Sequence, residues 1–264
     1  MKIHTTAIVE PGAVLADDVE IGAYALVSGD VVIGAATVVQ AHAVITGAVR
    51  IGSENVIGYG AVIGAEPQDL TFKPATRSGV VIGDRNIIRE HCTIHRGTAD
   101  GSDTVVGDGN FLMVGVHLGH NCRLGNDIII ANSCLLAGYV QIDDRAFLSG
   151  GARFHQSVRI GRLTFVEGRF RKNLPPFVSA AENAVYSINV VGLRRAGFTA
   201  EQRDEIKCAF KLLYRSGLNT RQALAAAADA SFSDVGREFF EFVTAAGSRG
   251  IVPSGNVADI EDLT

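Results

Sequence analysis

The sequence predicts a mainly β chain folded as a parallel β-helix of six-residue repeats, followed by a small α-helical domain at the C-terminus. Two observations support this. An aliphatic residue recurs at every sixth position over most of residues 3 to 170, and the pattern becomes helical after a double proline. A fixed short period outweighs other patterns, because each repeat is one structural unit that stacks on the next.

The six-residue period is most regular in the first quarter of the chain. Stepping by six from Ile3 gives Val9, Leu15, Ile21, Val27, Ile33, Val39, Ile45, Ile51, Ile57 and Ile63. Each unit can supply one short strand whose aliphatic residue points inward, and the small residue that often follows lets the backbone turn a corner. Three units close a coil of about eighteen residues, and successive coils should stack at about 4.8 Å.

Two interruptions of the period predict loops. The phase is lost at residues 66–79 and again at 99–103, and the later series of inward residues begins at Val106 and ends at Val166. Insertions in repeat proteins go to one face, often the binding face. The loop that contains Gln68-Asp69-Leu70 is therefore a candidate part of a site.

The C-terminal part has helical signals. Pro175-Pro176 ends the repeat, and Thr199 to Gln202 form a capping-box pattern before Ile206, Phe210 and Leu213, which share one helical face. Two further helices are predicted in residues 221–230 and 235–246, and residues 252–264 are predicted to be loosely held. We divide the chain into a β-helix domain, residues 1–190, and a helical domain and tail, residues 191–264.

Composition excludes several classes of protein. The chain has 264 residues and a formal charge of −4, which does not favour a nucleic-acid partner. No run approaches the roughly 18 to 20 apolar residues of a membrane span, so we expect no stable membrane insertion and a cytoplasmic location. The four cysteines show no CxxC spacing and are expected to be free, buried thiols.

Stacked coils predict a polar column. His120, Gly138 and Gln156 are eighteen residues apart, with Tyr139 and His155 offset by one and His117 just before the turn. A neutral imidazole suits general base catalysis or metal binding. A lone corner histidine is usually only solvated, but a column of polar residues favours a functional site. The remaining histidines, His4, His42, His91 and His95, are interpreted as structural or incidental.

Motifs over nearly the whole chain resemble the UDP-N-acetylglucosamine O-acyltransferases of lipid A synthesis. They are Pro67-Gln68-Asp69-Leu70, Ile94-His95-Arg96-Gly97-Thr98, His117-Leu118-Gly119-His120-Asn121-Cys122, Leu136-Ala137-Gly138, His155-Gln156, Pro175-Pro176, Asn189, Gly192-Leu193-Arg194-Arg195 and Lys211-Leu212-Leu213-Tyr214-Arg215-Ser216-Gly217. The resemblance implies left-handed coils, a cyclic homotrimer with sites between subunits, and acyl transfer from acyl carrier protein to a UDP-sugar, without a metal or cofactor.

The resemblance also implies residue roles. His120 would be the general base and the backbone N–H of Gly138 the oxyanion donor. The residues implied to hold the substrates are Gln68, Asp69, His117, His155, Gln156, Asn189 and Arg195. Basic residues near the site end could dock the acidic carrier protein; they are Arg153, Arg159, Arg162, Arg169, Arg171 and Lys172.

The chain departs from the family pattern at several contacts. Asn121 stands in place of an aspartate beside the base, Thr71 of a lysine, Tyr139 of a histidine, Val191 of a glutamate and Ala196 of an arginine. Alternatives to the acyltransferase therefore stay open. They are a paralogue that acylates another acceptor, a metal-dependent β-helix enzyme of the carbonic anhydrase type, and a non-catalytic trimeric binding module.

Overall fold

The computed structural model describes residues 1–255, and the repeat forms a three-sided prism of short strands. The strands are β1 (Lys2–Ile3), β2 (Ile8–Val9), β3 (Val14–Leu15), β4 (Glu20–Ile21), β5 (Leu26–Val27), β6 (Val31–Ile33), β7 (Val38–Val39), β8 (Val44–Ile45), β9 (Ala48–Ile51), β10 (Val56–Ile57), β11 (Val62–Ala65), β12 (Gly79–Ile82), β13 (Ile87–Ile88), β14 (Thr93–His95), β15 (Asp103–Val106), β16 (Phe111–Leu112), β17 (His117–Leu118), β18 (Arg123–Leu124), β19 (Ile129–Ile130), β20 (Leu135–Leu136), β21 (Gln141–Ile142), β22 (Phe147–Leu148), β23 (Arg153–Phe154), β24 (Arg159–Ile160), β25 (Phe165–Glu167) and β26 (Arg169–Phe170). A hairpin follows, made of β27 (Val178–Ala181) and β28 (Ala184–Ile188).

Every third strand lies on the same face of the prism. Face A contains the series from β1 to β25 and then the hairpin, face B runs from β2 to β26, and face C runs from β3 to β24. Strands pair in parallel with a register of eighteen residues, as in Lys2 with Glu20 and His117 with Leu135. The two predicted loops widen that register, so Val62 pairs with Thr93 and Thr93 with His117. The predicted repeat, its coil length and both interruptions are confirmed.

The predicted aliphatic series forms the core. From Ile21 onward its members are almost completely buried, whereas Ile3 in the first coil is 43% exposed. In this structure the first coil packs against a neighbouring coil on one side, so its aliphatic residues are only partly covered. Cys92, Cys122 and Cys134 are buried free thiols as predicted. The prediction is wrong for Cys208, a free thiol that is exposed because it lies on the outer side of a C-terminal helix.

An internal ladder of asparagines lines one corner of the prism. The side-chain oxygen of Asn55 accepts hydrogen bonds from the backbone N and Nδ2 of Asn86, and that of Asn86 accepts from both nitrogens of Asn110. All three residues are buried. Buried backbone N–H groups need partners, so the ladder satisfies corner amides that no strand pairs with.

The C-terminal helices are α1 (Val190–Arg195), α2 (Ala200–Tyr214), α3 (Thr220–Ala228) and α4 (Asp234–Thr244). The predicted capping box at the start of α2 is confirmed, since Thr199 and Gln202 bond each other's backbone N–H. The two further predicted helices are present as α3 and α4. The sequence did not predict the hairpin or α1. None of the helices in residues 1–255 is long and apolar enough to cross a membrane.

The segment after α4 is held to the β-helix, contrary to the sequence prediction for residues 252–255. Ile251 bridges to Asn173 and Ser254 to Val185, and Val252 is fully buried. Two backbone bridges and the buried Val252 side chain hold this segment in place. The sequence prediction, which rested on Pro253 and Gly255, could not show these contacts. The rest of the predicted loose tail, residues 256–264, lies outside the described residues. The domain division after residue 190 stays a prediction.

Candidate active site

His120 and Gly138 lie against each other at the corner between faces B and C. The loop after β17 carries His120, and the equivalent loop one coil later carries Gly138. A Cβ atom on Gly138 would lie 2.3 Å from His120 Cε1 and 2.4 Å from Nε2, so only glycine leaves room for the ring. Among the described residues the N–H of Gly138 forms no hydrogen bond, which leaves it free to donate to a bound oxygen.

Asn121 fixes the protonation of the His120 ring. The Oδ1 atom of Asn121 accepts from the backbone N of Thr98 at 3.1 Å and lies 3.0 Å from His120 Nδ1. A backbone N–H can only donate, so this atom is the amide oxygen and Nδ1 must carry the proton that joins them. The lone pair is then on Nε2, the arrangement that a general base requires.

His117 and His95 extend the site along face B. His117 Nδ1 lies 2.7 Å from Thr93 Oγ1, and the His95 ring stands edge-on to the His117 ring, with centroids 5.0 Å apart. Burial lowers the pKa of both imidazoles, and for His95, with further contributions from His117 and His120, to about 4. Both rings are therefore neutral near pH 7.

Sequence reasoning placed His95 outside the site and did not single out Thr93 or Thr98. The residues inserted between β14 and β17 change the register from eighteen to twenty-four, as the pairing of Thr93 with His117 shows. Counting by eighteen therefore could not connect them to His120. The signal that the sequence offered was the family-like motif Ile94-His95-Arg96-Gly97-Thr98, which contains both His95 and Thr98.

The first insertion carries Gln68 and Asp69. The backbone N and Oγ1 of Thr71 each donate to Asp69 Oδ1 at 2.8 Å, and these bonds hold the pKa of the carboxyl below its ordinary value. An electrostatic contribution from His120 lowers the same pKa, so Asp69 lies near the His120 ring. Gln68 is exposed. Thr71, one of the departures, is therefore the residue that orients Asp69.

Arg96 anchors this loop. Its guanidinium donates to the backbone oxygen of Thr76 at 3.2 Å and of Pro74 at 3.3 Å, pairs with Glu66, and lies over the Phe72 ring at 5.0 Å. The Arg96 side chain is only 14% exposed. Because this one cation contacts both ends of the loop, it anchors the segment that carries Asp69.

His155 and Gln156 lie one coil beyond Gly138 at the same corner, as the register predicted. Both are exposed, and His155 Nδ1 is 3.4 Å from the backbone oxygen of Gln156. Their side chains are therefore free to meet a ligand. Within residues 1–255, no group of three or more His, Cys, Asp or Glu side chains is arranged to hold a metal ion.

Asn189 and Arg195 lie on the opposite side of the prism. They line a cleft of about 600 Å³ between face A and helix α1, together with Val191 and Ala196. Asn189 caps α1, because its Oδ1 accepts from Gly192 N and its Nδ2 donates to Leu163 O, both at 2.9 Å. Both polar side-chain atoms of Asn189 are thus committed to structure, a role that the sequence did not suggest.

One chain therefore brings together only part of the predicted site. Asp69, His117, His120 and Gly138 are near one another, with His155 and Gln156 a coil away, while Asn189 and Arg195 are across the prism at face A. The cleft floor is built by Ile129, Phe147 and Phe165 of β19, β22 and β25, at the height of the coils that carry the histidine column.

Comparisons with known proteins identify similar chains. Residues 174–252 match the family described as UDP N-acetylglucosamine O-acyltransferase, domain 2. A Burkholderia lata protein named acyl-[acyl-carrier-protein]–UDP-N-acetylglucosamine O-acyltransferase is 42% identical, over 95% of this chain and 99% of its own. A protein of that name from Burkholderia orbicola is 44% identical, over 84% of this chain and 86% of its own.

Solved structures give the same result. The UDP-N-acetylglucosamine acyltransferase of Francisella novicida superposes with a TM-score of 0.92 at 38% identity, covering 97% of this chain and 96% of that one. The UDP-N-acetylglucosamine acyltransferase of Bacteroides fragilis superposes with a TM-score of 0.90 at 41% identity, covering 94% of this chain and 99% of that one. The predicted left-handed β-helix with a C-terminal helical region is confirmed.

Proposed function

The chain belongs to the UDP-N-acetylglucosamine O-acyltransferase family, and from this premise we propose that it transfers a 3-hydroxyacyl chain from acyl carrier protein to the 3-hydroxyl of UDP-N-acetylglucosamine, the first step of lipid A biosynthesis, in the cytoplasm. One observation carries the proposal: within residues 1–255, nothing bonds to the Nε2 lone pair of His120 or to the adjacent N–H of Gly138. A base and an oxyanion donor are what direct acyl transfer needs.

The reaction follows from these two groups. His120 Nε2 takes the proton of the sugar hydroxyl as its oxygen attacks the thioester carbonyl. The negative charge that develops on the carbonyl oxygen is stabilised by the N–H of Gly138. When the tetrahedral intermediate collapses, the thiolate of the carrier's prosthetic group leaves. The His120 imidazolium then protonates this thiolate. Asn121 orients the ring but, being neutral, does not offset the imidazolium charge.

A homotrimer would complete the site. The His120 corner and the Arg195 cleft lie at the same height on opposite sides of the prism, so the corner of one copy can face the cleft of the next around a threefold axis. Face A also presents an apolar stripe, formed by Ile87, Phe111, Ile129, Phe147 and Phe165, that a neighbour would cover. Light scattering should give three times the chain mass, and a stable monomer at micromolar concentration would contradict this.

The carrier protein would dock on a narrower basic surface than the sequence indicated. Arg162 pairs with Glu238, and Arg159 lies over the Phe242 ring, so both serve the junction with the helices. The exposed cations that remain are Arg153, Arg169, Arg171 and Lys172. Arg153 and Arg169 are adjacent in the register of face B. Carrier binding should weaken steeply with salt, and salt-independent binding would exclude this surface.

The decisive test is a substrate panel. Acyl carrier proteins with chains of different length are incubated with UDP-N-acetylglucosamine and other UDP-sugars, and products are identified by mass spectrometry, with His120→Ala as the inactive control. Mono-acylated UDP-N-acetylglucosamine is expected. Acylation of another sugar only would favour the paralogue, for which Val191 and Ala196 in the cleft are the supporting observation. No product with any acceptor would favour the binding module.

A further inference from the structure

We propose that Tyr139 and Thr98 are positioning residues that keep His120 in its base tautomer by orienting the Asn121 amide. The kinetic part of this inference rests on the proposed function, and its structural part does not. The three groups form one hydrogen-bonded chain with His120, and the direction of each bond in that chain can be assigned.

The direction follows from the donors. Asn121 Oδ1 accepts from Thr98 N at 3.1 Å and from Thr98 Oγ1 at 2.9 Å. The threonine hydroxyl has one proton, and it is used in this bond. Thr98 Oγ1 lies 3.0 Å from Tyr139 Oη, so in that pair the phenol donates and the threonine accepts. The proton order is therefore Tyr139 to Thr98, Thr98 to Asn121, and His120 Nδ1 to Asn121.

The amide needs this orientation because its two ends are different. If the Asn121 side chain turned over, its NH₂ group would face His120 Nδ1, and that nitrogen would have to accept. The imidazole proton would then lie on Nε2, which could no longer act as a base. The backbone of Asn121 is held by its own N–H, which donates to Thr104 Oγ1 at 2.8 Å. The orientation of its side-chain amide therefore depends on the N–H and the hydroxyl of Thr98, which both donate to Oδ1.

Tyr139 is placed to act on this chain. It occupies the corner one coil from His120, with φ of 61°, and its backbone N donates to His120 O at 2.9 Å. Its ring stands edge-on to the imidazole, with centroids 5.2 Å apart. The phenol therefore touches the base with its ring and reaches Thr98 with its hydroxyl.

This arrangement connects two departures from the family pattern. An aspartate beside the base has two equivalent acceptor oxygens and needs no orientation. An asparagine presents an acceptor or a donor depending on its rotation, and Tyr139 with Thr98 selects the acceptor. The tyrosine should therefore matter only while residue 121 is an asparagine.

The test is a set of variants assayed for kcat and KM, together with ¹⁵N NMR of the ligand-free protein to read the His120 tautomer. Tyr139→Phe and Thr98→Val should each lower kcat about two- to tenfold, the range of one lost hydrogen bond, with little change in KM. Their double variant should be no worse than the more impaired single one, because Tyr139 acts through Thr98. Thr98→Ser should restore most of what Thr98→Val loses.

The sharpest comparison uses residue 121. Tyr139→Phe should lower kcat in the natural chain but not in the Asn121→Asp background. Tyr24→Phe is the matched control, since Tyr24 also occupies a corner with positive φ and packs on a histidine, 5.1 Å between centroids, far from the site.

The NMR measurement decides the inference without any substrate. A proton on Nδ1 of His120, moving partly to Nε2 in Thr98→Val, supports it. A proton on Nε2 in the unmutated protein overturns it, as does an equal effect of Tyr139→Phe in both backgrounds. If the unmutated protein transfers no acyl chain, the proposed function fails while the tautomer result still decides this inference.

Discussion

Gly138→Ala should disable the site while leaving the fold intact. The new Cβ would lie 2.3 Å from His120 Cε1, whereas ordinary contacts begin at 3.4 Å, so the imidazole must retreat by about 1 Å. We expect this shift to disturb the 3.0 Å bond between His120 Nδ1 and Asn121. A misplacement of that size costs on the order of 10² in rate, so kcat should fall about a hundredfold. The backbone N–H of residue 138 is still present in this variant, so the loss of activity would report the displacement of His120.

The assay is steady-state acyl transfer, with thermal unfolding and light scattering to verify the fold. Gly150→Ala is the matched control: Gly150 occupies the equivalent position at another corner, and the atom nearest its added Cβ is Asn132 O at 3.6 Å. That variant should keep the activity of the natural chain. If Gly138→Ala were as active as Gly150→Ala, the close packing of glycine and imidazole would not be required for catalysis.

Three further predictions concern His120, the asparagine ladder and the buried His95. His120→Ala should lower kcat by about 10² to 10⁴ with the melting temperature nearly unchanged, and full activity would refute its assignment as the base. Asn86→Ala should lower the free energy of unfolding in urea by about 2 to 4 kcal/mol, because two buried nitrogens of Asn110 lose their acceptor. The control Asn132→Ala, at an exposed asparagine, should lower it by less than about 1 kcal/mol. Equal losses would contradict the role of the ladder. Burial lowers the pKa of His95 from 6.5 to about 4, so the unfolded chain binds a proton in that window that the folded chain does not, and stability is lost as the pH falls through it. His95→Phe should reduce the fall in melting temperature between pH 6.5 and 4, and an unchanged slope would exclude His95 as its source.

The sequence determined the architecture because the repeat is local. One aliphatic residue in six and a small residue after it define a strand and a corner, and three such units must close before the next coil can stack. The register that aligns His120 with Gly138 follows from counting alone, and the structure confirms it. The capping box at Thr199 could also be predicted from the sequence, since capping involves residues only three apart.

The tertiary structure decided which groups surround His120. The inserted residues before β15 and after β11 have no fixed period, so their return to the prism could not be counted. Thr98 and His95 were therefore not connected with His120, and the anchoring of the Asp69 loop by Arg96 was not foreseen. The pKa shifts of the histidines depend on burial, which only packing determines.

Asn189 shows the same limit from the other direction. The motif that contains it suggested a substrate contact, yet its amide caps α1 and bonds Leu163 of the β-helix. Sequence by itself determined the strands, corners and column, because these depend on spacing within one repeat. Folding alone decided how insertions and terminal helices pack on that repeat, because such contacts depend on the shape and polarity of surfaces that exist only after the coils have stacked.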